Sequence, residues 1–244
     1  MQKIIKTFDN KEWDYKNIVS KMYDDDFYYD YLGKNALSSS EFKNVLNGTY
    51  GDENNIPKQA LRDGRLIHLA VLEPHRLDDL IIIDSTKGSK AFKEAVIEYN
   101  DAMVYTTREL KKCTELASNV KVDFDSFLLL DDSDIELPSI KMIDGLPVRA
   151  KADAIKGKHI IDLKTTSDAS RFEQSIEMFS YDLQGALYLD IFGGNIFSFI
   201  ILDKITGEVS IRQLTETEIE SGKSKLKKAI EIYKNVYAKG LFKD

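Results

Sequence analysis

Residues 149–166 read RAKADAIKGKHIIDLKTT. Alternation on both sides of Lys156-Gly157-Lys158 predicts two β-strands joined by a tight turn. Asp153 lies on the first arm, Asp162 on the second, and Lys164 two residues beyond. With Gly157-Lys158 as a two-residue loop, Asp153 faces Asp162. Upstream, IELPSIKMI and LPVRAKADAI flank Asp144-Gly145, a second hairpin signal that sets Glu136 opposite Asp153. Glu136, Asp153 and Asp162 then form one row across three strands, with Cβ atoms of opposed residues ~4.5–5.5 Å apart. Lys164 shares the face of Asp162, one pleat on. The other face of the middle strand shows Val148, Ala150, Ala152 and Ala154, which suits burial against helices.

Three carboxylates in a row destabilise a sheet unless a positive charge sits among them. A divalent cation held by carboxylate oxygens, Mg²⁺ above all, meets that need. The plain alternative is a solvated face on which Lys164 merely offsets the acids. On the cation reading, removing an opposed aspartate should raise the stability of the metal-free protein.

The rest of the chain supplies a frame. Its 244 residues are 43% hydrophobic and 31% charged, a globular composition. The net charge of −7 argues against a protein that simply coats nucleic acid, and less against an enzyme whose acids hold a metal. One cysteine, Cys113, excludes an intramolecular disulfide and a cysteine-rich metal cluster. No apolar stretch approaches the ~18 residues of a membrane span, and MQKIIKTFDNKEW has no signal-peptide core. A cytoplasmic location is expected.

Helix signals fill the first half. DNKEWDYKNIVSKMYDDDFYYDYLGKNA is aromatic and acidic, and is expected as helix or loop packed on the rest. LSSSEFKNVLNG carries a capping pattern at Ser38 and Glu41 and a stop at Asn47-Gly48. A helix between Pro57 and Pro74 sets Gly64 and His68 on one face. Residues 88–119 hold two more helices broken near Tyr105–Thr107, and Phe124–Leu130 a short third. After the three-strand meander come the helix FSYDLQGALYLDIF, stopping at Gly193-Gly194, the strands NIFSFIILDK and EVSIRQL, and a last amphipathic helix from Thr215. The fold class expected is α/β: a central mixed β-sheet flanked by helices, with a helical N-terminal part. The chain divides into helices to about residue 130, a sheet core over about 131–214 and a final helix over about 215–242, all one domain.

Asp153, then Asp162-Leu163-Lys164 on the next strand, resembles the PD-(D/E)-x-K nuclease signature, with Ala152-Asp153 in place of Pro-Asp. GRLIHLAVLEP, with His68, resembles the histidine helix of the RecB-like branch, and YDLQGALY its Gln-x-x-x-Tyr motif at Gln184 and Tyr188. With LSSSEFK and DLKTTSDAS, the chain from about Leu37 to Phe192 is similar to phage-type RecE exonucleases. The resemblance implies a restriction-endonuclease-like core and a metal-dependent deoxyribonuclease. Asp153 and Asp162 would be the main metal ligands, with the Leu163 carbonyl and His68 beside them and Glu136 ligating directly or through water. It implies one or two Mg²⁺ ions, and the softer histidine ligand lets Mn²⁺ substitute. Lys164 would orient the attacking water and offset charge on the phosphate, and Gln184 and Tyr188 would contact the strand or support the site. Arg149, Lys151, Lys156 and Lys158 are candidate phosphate contacts, or else solvated turn charges.

The resemblance further implies 5′-to-3′ degradation of one strand of linear double-stranded DNA, leaving a 3′ single strand for a RecT-like annealing protein. A homo-oligomeric ring, trimer or tetramer, in a bacterial or phage-infected cell is also implied. Rival readings are a structure-specific or Cas4-like nuclease on the same core, and a DNA-binding module with a silent site. Cas4-like enzymes usually carry a four-cysteine cluster, which a single cysteine cannot supply.

Overall fold

The computed structural model describes residues 4–51, 58–99, 101 and 103–238. The chain opens with a small hairpin, β1 (Ile4–Lys6) on β2 (Glu12–Asp14), which the sequence pattern does not predict. The Asp14 carboxylate accepts from the N–H groups of Lys16 and Asn17 and so caps α1 (Tyr15–Lys21). A π-turn over Asp26–Tyr31 and the short α2 (Leu32–Asn35) complete the aromatic segment. Its apolar residues Ile18, Met22, Tyr28 and Leu32 pack with Ile140, which docks it on the sheet as expected.

Next come α3 (Ser39–Leu46) and α4 (Lys58–Leu72). The Ser38 hydroxyl accepts from Glu41 N–H at the start of α3, and Gly48 takes the left-handed φ of 69° just past its end. Pro57, expected in the first turn of α4, lies outside the described residues. Between α4 and the meander, the expected pair of helices is present as α5 (Lys90–Tyr99) and α6 (Thr107–Val122). They are accompanied by two strands that the sequence pattern does not predict: β3 (Ile81–Ile83) and β4 (Val104–Thr106) pair in parallel around α5. Three residues are too few to display a period. Thr106 and Glu109 form a capping box that starts α6, and Asp123 caps α7 (Phe124–Leu130).

The central sheet has five strands in the order β5 (Asp134–Ile143), β6 (Leu146–Lys156), β7 (His159–Thr166), β8 (Ile196–Asp203) and β9 (Val209–Gln213). Neighbours are antiparallel except β7 and β8, which run parallel. Their crossover carries α8 (Phe172–Met178) and α9 (Tyr181–Phe192). Asp144 and Gly145 both have positive φ, at 48° and 82°, as a two-residue hairpin turn requires. The mixed α/β architecture is the one the sequence predicts.

Helices cover both faces. On one, Val148, Ala150, Ala152, Ile160, Phe197 and Phe199 pack with Leu183 and Leu187 of α9 and Leu226 and Ala229 of α10 (Glu216–Ile232). On the other, Ala154, Ile161, Leu163 and Ile200 pack with Leu66 and Ile67 of α4 and Cys113 and Ala117 of α6. Each Val, Leu, Ile or Phe among them contributes about 1.5–3 kcal/mol of burial. Helix α10 gives way to a π-turn at Tyr233–Tyr237, and the expected end near residue 242 lies outside the described residues. It crosses α9 very closely, since a Cβ on Gly222 would lie 2.0 Å from the Asp182 carbonyl oxygen.

Candidate active site

Both hairpin registers are those the sequence predicts. Ile135 faces Ala154 and Leu137 faces Ala152 on one side, and Ala154 faces Ile161 on the other. The ladder, however, fails at the acidic residues themselves. Glu136 has a left-handed φ of 51° and forms no regular pair with Asp153. Around it the faces exchange: Leu137 and Ala152 pack toward α9, whereas Ile135 and Ala154 pack toward α4 and α6. The expected burial of Val148, Ala150, Ala152 and Ala154 on a single face is therefore corrected at Ala154. A left-handed conformation costs a residue with a Cβ about 1–2 kcal/mol, and such strain persists where surrounding packing over-determines it.

The kink opens the sheet. The β6–β7 ladder ends at Ala154 and Ile161, so Asp153 and Asp162 never become a strand pair. Leu163 N–H instead donates to the Asp153 Oδ2 at 2.7 Å. Further along β6 the vacated edge is taken by Leu37, whose N–H donates to the Pro147 carbonyl while its own carbonyl accepts from Arg149 N–H.

Into this split α4 delivers His68. A Cβ on Gly64, one turn earlier, would come 3.5 Å from Thr165 Oγ1, a measure of how near α4 runs to β7. His68 Nδ1 lies 3.5 Å from Asp153 Oδ2. One ligand atom each from His68, Glu136 and Asp153 falls within 4.8 Å of the others, the one such group of three among the described residues. Burial raises the Asp153 carboxyl above its ordinary range; the His68 ring opposes that rise and the charge of Asp162 adds to it. Burial also raises Glu136, assisted by the charge of Asp153 and opposed by Lys151. Two half-buried acids and an imidazole so placed form a donor set suited to a divalent cation.

Asp162, expected as a principal ligand, stands outside that group of three. It is almost fully buried, its Oδ1 accepts from Gln184 Nε2 at 2.6 Å, and its Oδ2 lies 2.8 Å from Lys164 Nζ. A carboxylate oxygen has more than one lone pair, so Oδ2 can hold Lys164 and still face a cation. The charge of Asp162 is felt at Asp153, so a cation held by His68, Glu136 and Asp153 is one that Asp162 would share. Lys164 is pulled down by burial, but Asp162, Tyr181 and Asp153 more than compensate and hold its pKa above the usual lysine value. It therefore stays protonated near neutrality, which suits orientation and charge stabilisation. Tyr188 is buried among Phe192 and Phe197, with its hydroxyl against Gln184. Gln184 and Tyr188 thus support Asp162 from α9, and Tyr188 is not presented to a passing strand.

The four candidate phosphate contacts fare differently. Arg149 is buried, donates to the Tyr28 carbonyl at 3.1 Å and lies over the Tyr28 ring. Lys151 reaches Asp25 at 3.1 Å, and Asp25 also pairs with Arg76, which holds Glu73 at 3.1 Å. Both cations thus anchor the N-terminal aromatic segment. Lys156 donates to the Leu128 carbonyl at 2.7 Å, while Lys158 is exposed in the turn. His159 bonds Ser198 and His75 is exposed, both outside the site.

Two nearby residues lie outside the site read from the sequence. Tyr181 places its ring centre 4.8 Å from Lys164 Nζ; it shares a helix face with Gln184 and Tyr188, so its spacing could have revealed it. Glu73, five residues from His68, adds negative charge at Glu136, and no spacing rule finds it.

The PDDEXK-like domain of unknown function (DUF3799) matches residues 28–242. The chain belongs to this family. The core is thus PDDEXK-like, and Asp153, Asp162 and Lys164 occupy its split strands. A solved structure from Eubacterium rectale, described as a "putative exonuclease", is 17% identical with a TM-score of 0.63, covering 87% of this chain and 86% of its own. A phage-related exonuclease from Haemophilus somnus is 14% identical with a TM-score of 0.35, covering 67% of this chain and 93% of its own. An alkaline exonuclease from Laribacter hongkongensis is 14% identical with a TM-score of 0.34, covering 84% and 94%. No curated protein matches the chain. No helix among the described residues is long and apolar enough to cross a membrane.

Proposed function

We propose that this PDDEXK-like chain is a metal-dependent deoxyribonuclease that degrades one strand of linear duplex DNA from its end, 5′ to 3′. The observation that carries the reading is the convergence of His68, Glu136 and Asp153 beside the ion pair of Lys164 with Asp162. A bound divalent cation, Mg²⁺ or Mn²⁺, would polarise the scissile phosphate and acidify a water. Asp153, Glu136 and His68 would hold it from the β6 side and Asp162 from the β7 side, one ion or two. Gln184 fixes the Asp162 carboxylate, and Lys164 orients the attacking water and offsets charge developing on the phosphate. The fold shared with the Eubacterium rectale protein supports an exonuclease over a silent binding module. The 3′ single strand left behind would serve an annealing protein, and three or four copies would close a ring around the duplex. We place this activity in the cytoplasm of a bacterial or phage-infected cell.

The test is cleavage of end-labelled linear duplex against closed circular DNA, with Mg²⁺ or EDTA. Mononucleotides released from the linear form alone, and only with the cation, are expected. Cutting of the circle would make the chain an endonuclease, and binding without release would make it a silent module. Labelling each end in turn reads polarity, and light scattering on the eluting peak reads the ring.

A further inference from the structure

A cation and aromatic ladder leads away from the candidate site. Tyr181 has its ring centre 4.8 Å from Lys164 Nζ and 5.6 Å from that of Phe179, and Lys43 Nζ on α3 lies 6.0 Å from the Phe179 ring. In order outward these are Lys164, Tyr181, Phe179 and Lys43. Phe179 is 44% exposed and its neighbour Met178 67%, so the α8–α9 corner presents apolar surface to water at the edge of a charged site. Ser180, left-handed at φ 53°, turns the chain there.

Lys43 is half-buried and forms no ion pair with any described carboxylate. Burial and the neighbouring charge of Lys164 both pull its pKa down. Asp162 neutralises Lys164, and no described carboxylate does the same for Lys43. Two ammonium groups that feel each other's charge, only one of them paired with an acid, leave a place for an anion. An exposed ring between them offers a π-face. Alternating cations and rings are the means by which proteins follow a single nucleic-acid strand, phosphates on the charges and bases on the rings.

Resting on the nuclease reading, we propose that Lys43 and Phe179 guide the substrate strand to Lys164: Phe179 stacks on the base beside the scissile phosphate, and Lys43 takes the adjoining phosphate. Tyr181 is the positioning residue between them, backing the Lys164 ammonium. Because every base has a π-face, the track is tolerant of sequence. It demands an unpaired base, so the strand must leave its duplex before cleavage.

Equilibrium binding of a dye-labelled single-stranded DNA oligonucleotide to the full chain, in Ca²⁺ buffer verified free of cleavage, tests this. Phe179→Ala should bind roughly 5- to 100-fold more weakly and Phe179→Trp should restore binding, with Phe179→Leu as a space-filling variant that lacks the π-face. Lys43→Gln should reduce the slope of log affinity against log salt by about 0.7. Ile97→Ala, at an 86% exposed position on α5, should behave as wild type. If wild type binds and cleaves while Phe179→Ala, Phe179→Leu and Lys43→Gln match it in affinity and slope, the track is wrong and the nuclease reading stands. If wild type neither binds DNA nor releases nucleotides with Mg²⁺ or Mn²⁺, both fall.

Discussion

Asp153 Oδ2 accepts the main-chain N–H of Leu163 at 2.7 Å, at a row where the β6–β7 ladder has already ended. A side chain has taken the place of a strand. The same carboxylate stands 3.5 Å from His68 Nδ1, so one group both closes the split sheet and faces the donor set. Loss of charge and loss of the acceptor are therefore separable. Asp153→Asn keeps an acceptor for Leu163; it should lower cleavage by at least ~100-fold while its melting temperature in EDTA stays at or above that of wild type. Asp153→Ala strands a buried N–H and should cost about 1–3 kcal/mol. The row of acids alone argues the opposite, that removing an opposed aspartate stabilises the metal-free protein, and the bond to Leu163 sets the sign at Asp153. Equal EDTA melting curves for the two variants would remove the structural role.

Lys164 and Asp162 form the second relationship. Their ion pair is largely buried, and removing one partner of such a pair costs about 3–5 kcal/mol. Lys164→Met should abolish cleavage and lower the melting temperature in EDTA. Mn²⁺ should then raise that temperature by more in Lys164→Met than in wild type, because the freed Asp162 oxygen has no competing cation. An equal rise in both would place Asp162 outside the metal shell.

Protons should report on the acids. Glu136 and Asp153 both have carboxyl pKa values raised chiefly by burial. The folded protein therefore holds protons that the unfolded chain has released above about pH 4. That contribution favours folding at low pH and is lost as pH rises through the folded values. In EDTA, the melting temperature of wild type minus that of Glu136→Gln should become more negative from pH 5 to pH 8. Adding Mn²⁺ at pH 7 should release protons, read by calorimetry in buffers of different ionisation enthalpy. A pH-independent difference would mean that Glu136 carries no such burden.

What the sequence made legible was local. Asp144-Gly145 and Lys156-Gly157-Lys158 carry their turn chemistry in their own residues, so the strands and registers follow from them. The left-handed Glu136 and the exchange of faces between Ala152 and Ala154 depend on helices packed on opposite sides, which alternation cannot foresee. Arg149 and Lys151 look available on a strand, but Tyr28 and Asp25, more than a hundred residues away in the chain, engage them. Asp162 and Lys164 are placed together by strand spacing, whereas the bond from Gln184 comes from α9, packed on the sheet, and spacing along one element cannot reach it.

The position of Gln184 depends in turn on how α9 meets α10. A Cβ on Gly222 would lie 2.0 Å from the Asp182 carbonyl oxygen and 3.0 Å from the Ala186 Cβ. A backbone atom cannot swing aside as a side chain can, so Gly222→Ala must push the helices apart. Overpacking of this kind costs about 1–3 kcal/mol, and the buried bonds of Asp182 to Ser221 and Lys225 would lengthen with it. Since Gln184 holds Asp162 at 2.6 Å, the displacement should reach the candidate site. Gly222→Ala is expected to melt several degrees below wild type and to cleave more slowly at saturating DNA, with little change in affinity for the strand. Gln184→Ala should reproduce the slower cleavage with a smaller loss of stability. A Gly222→Ala enzyme that is less stable yet fully active would show that α9 does not set the Asp162 carboxylate.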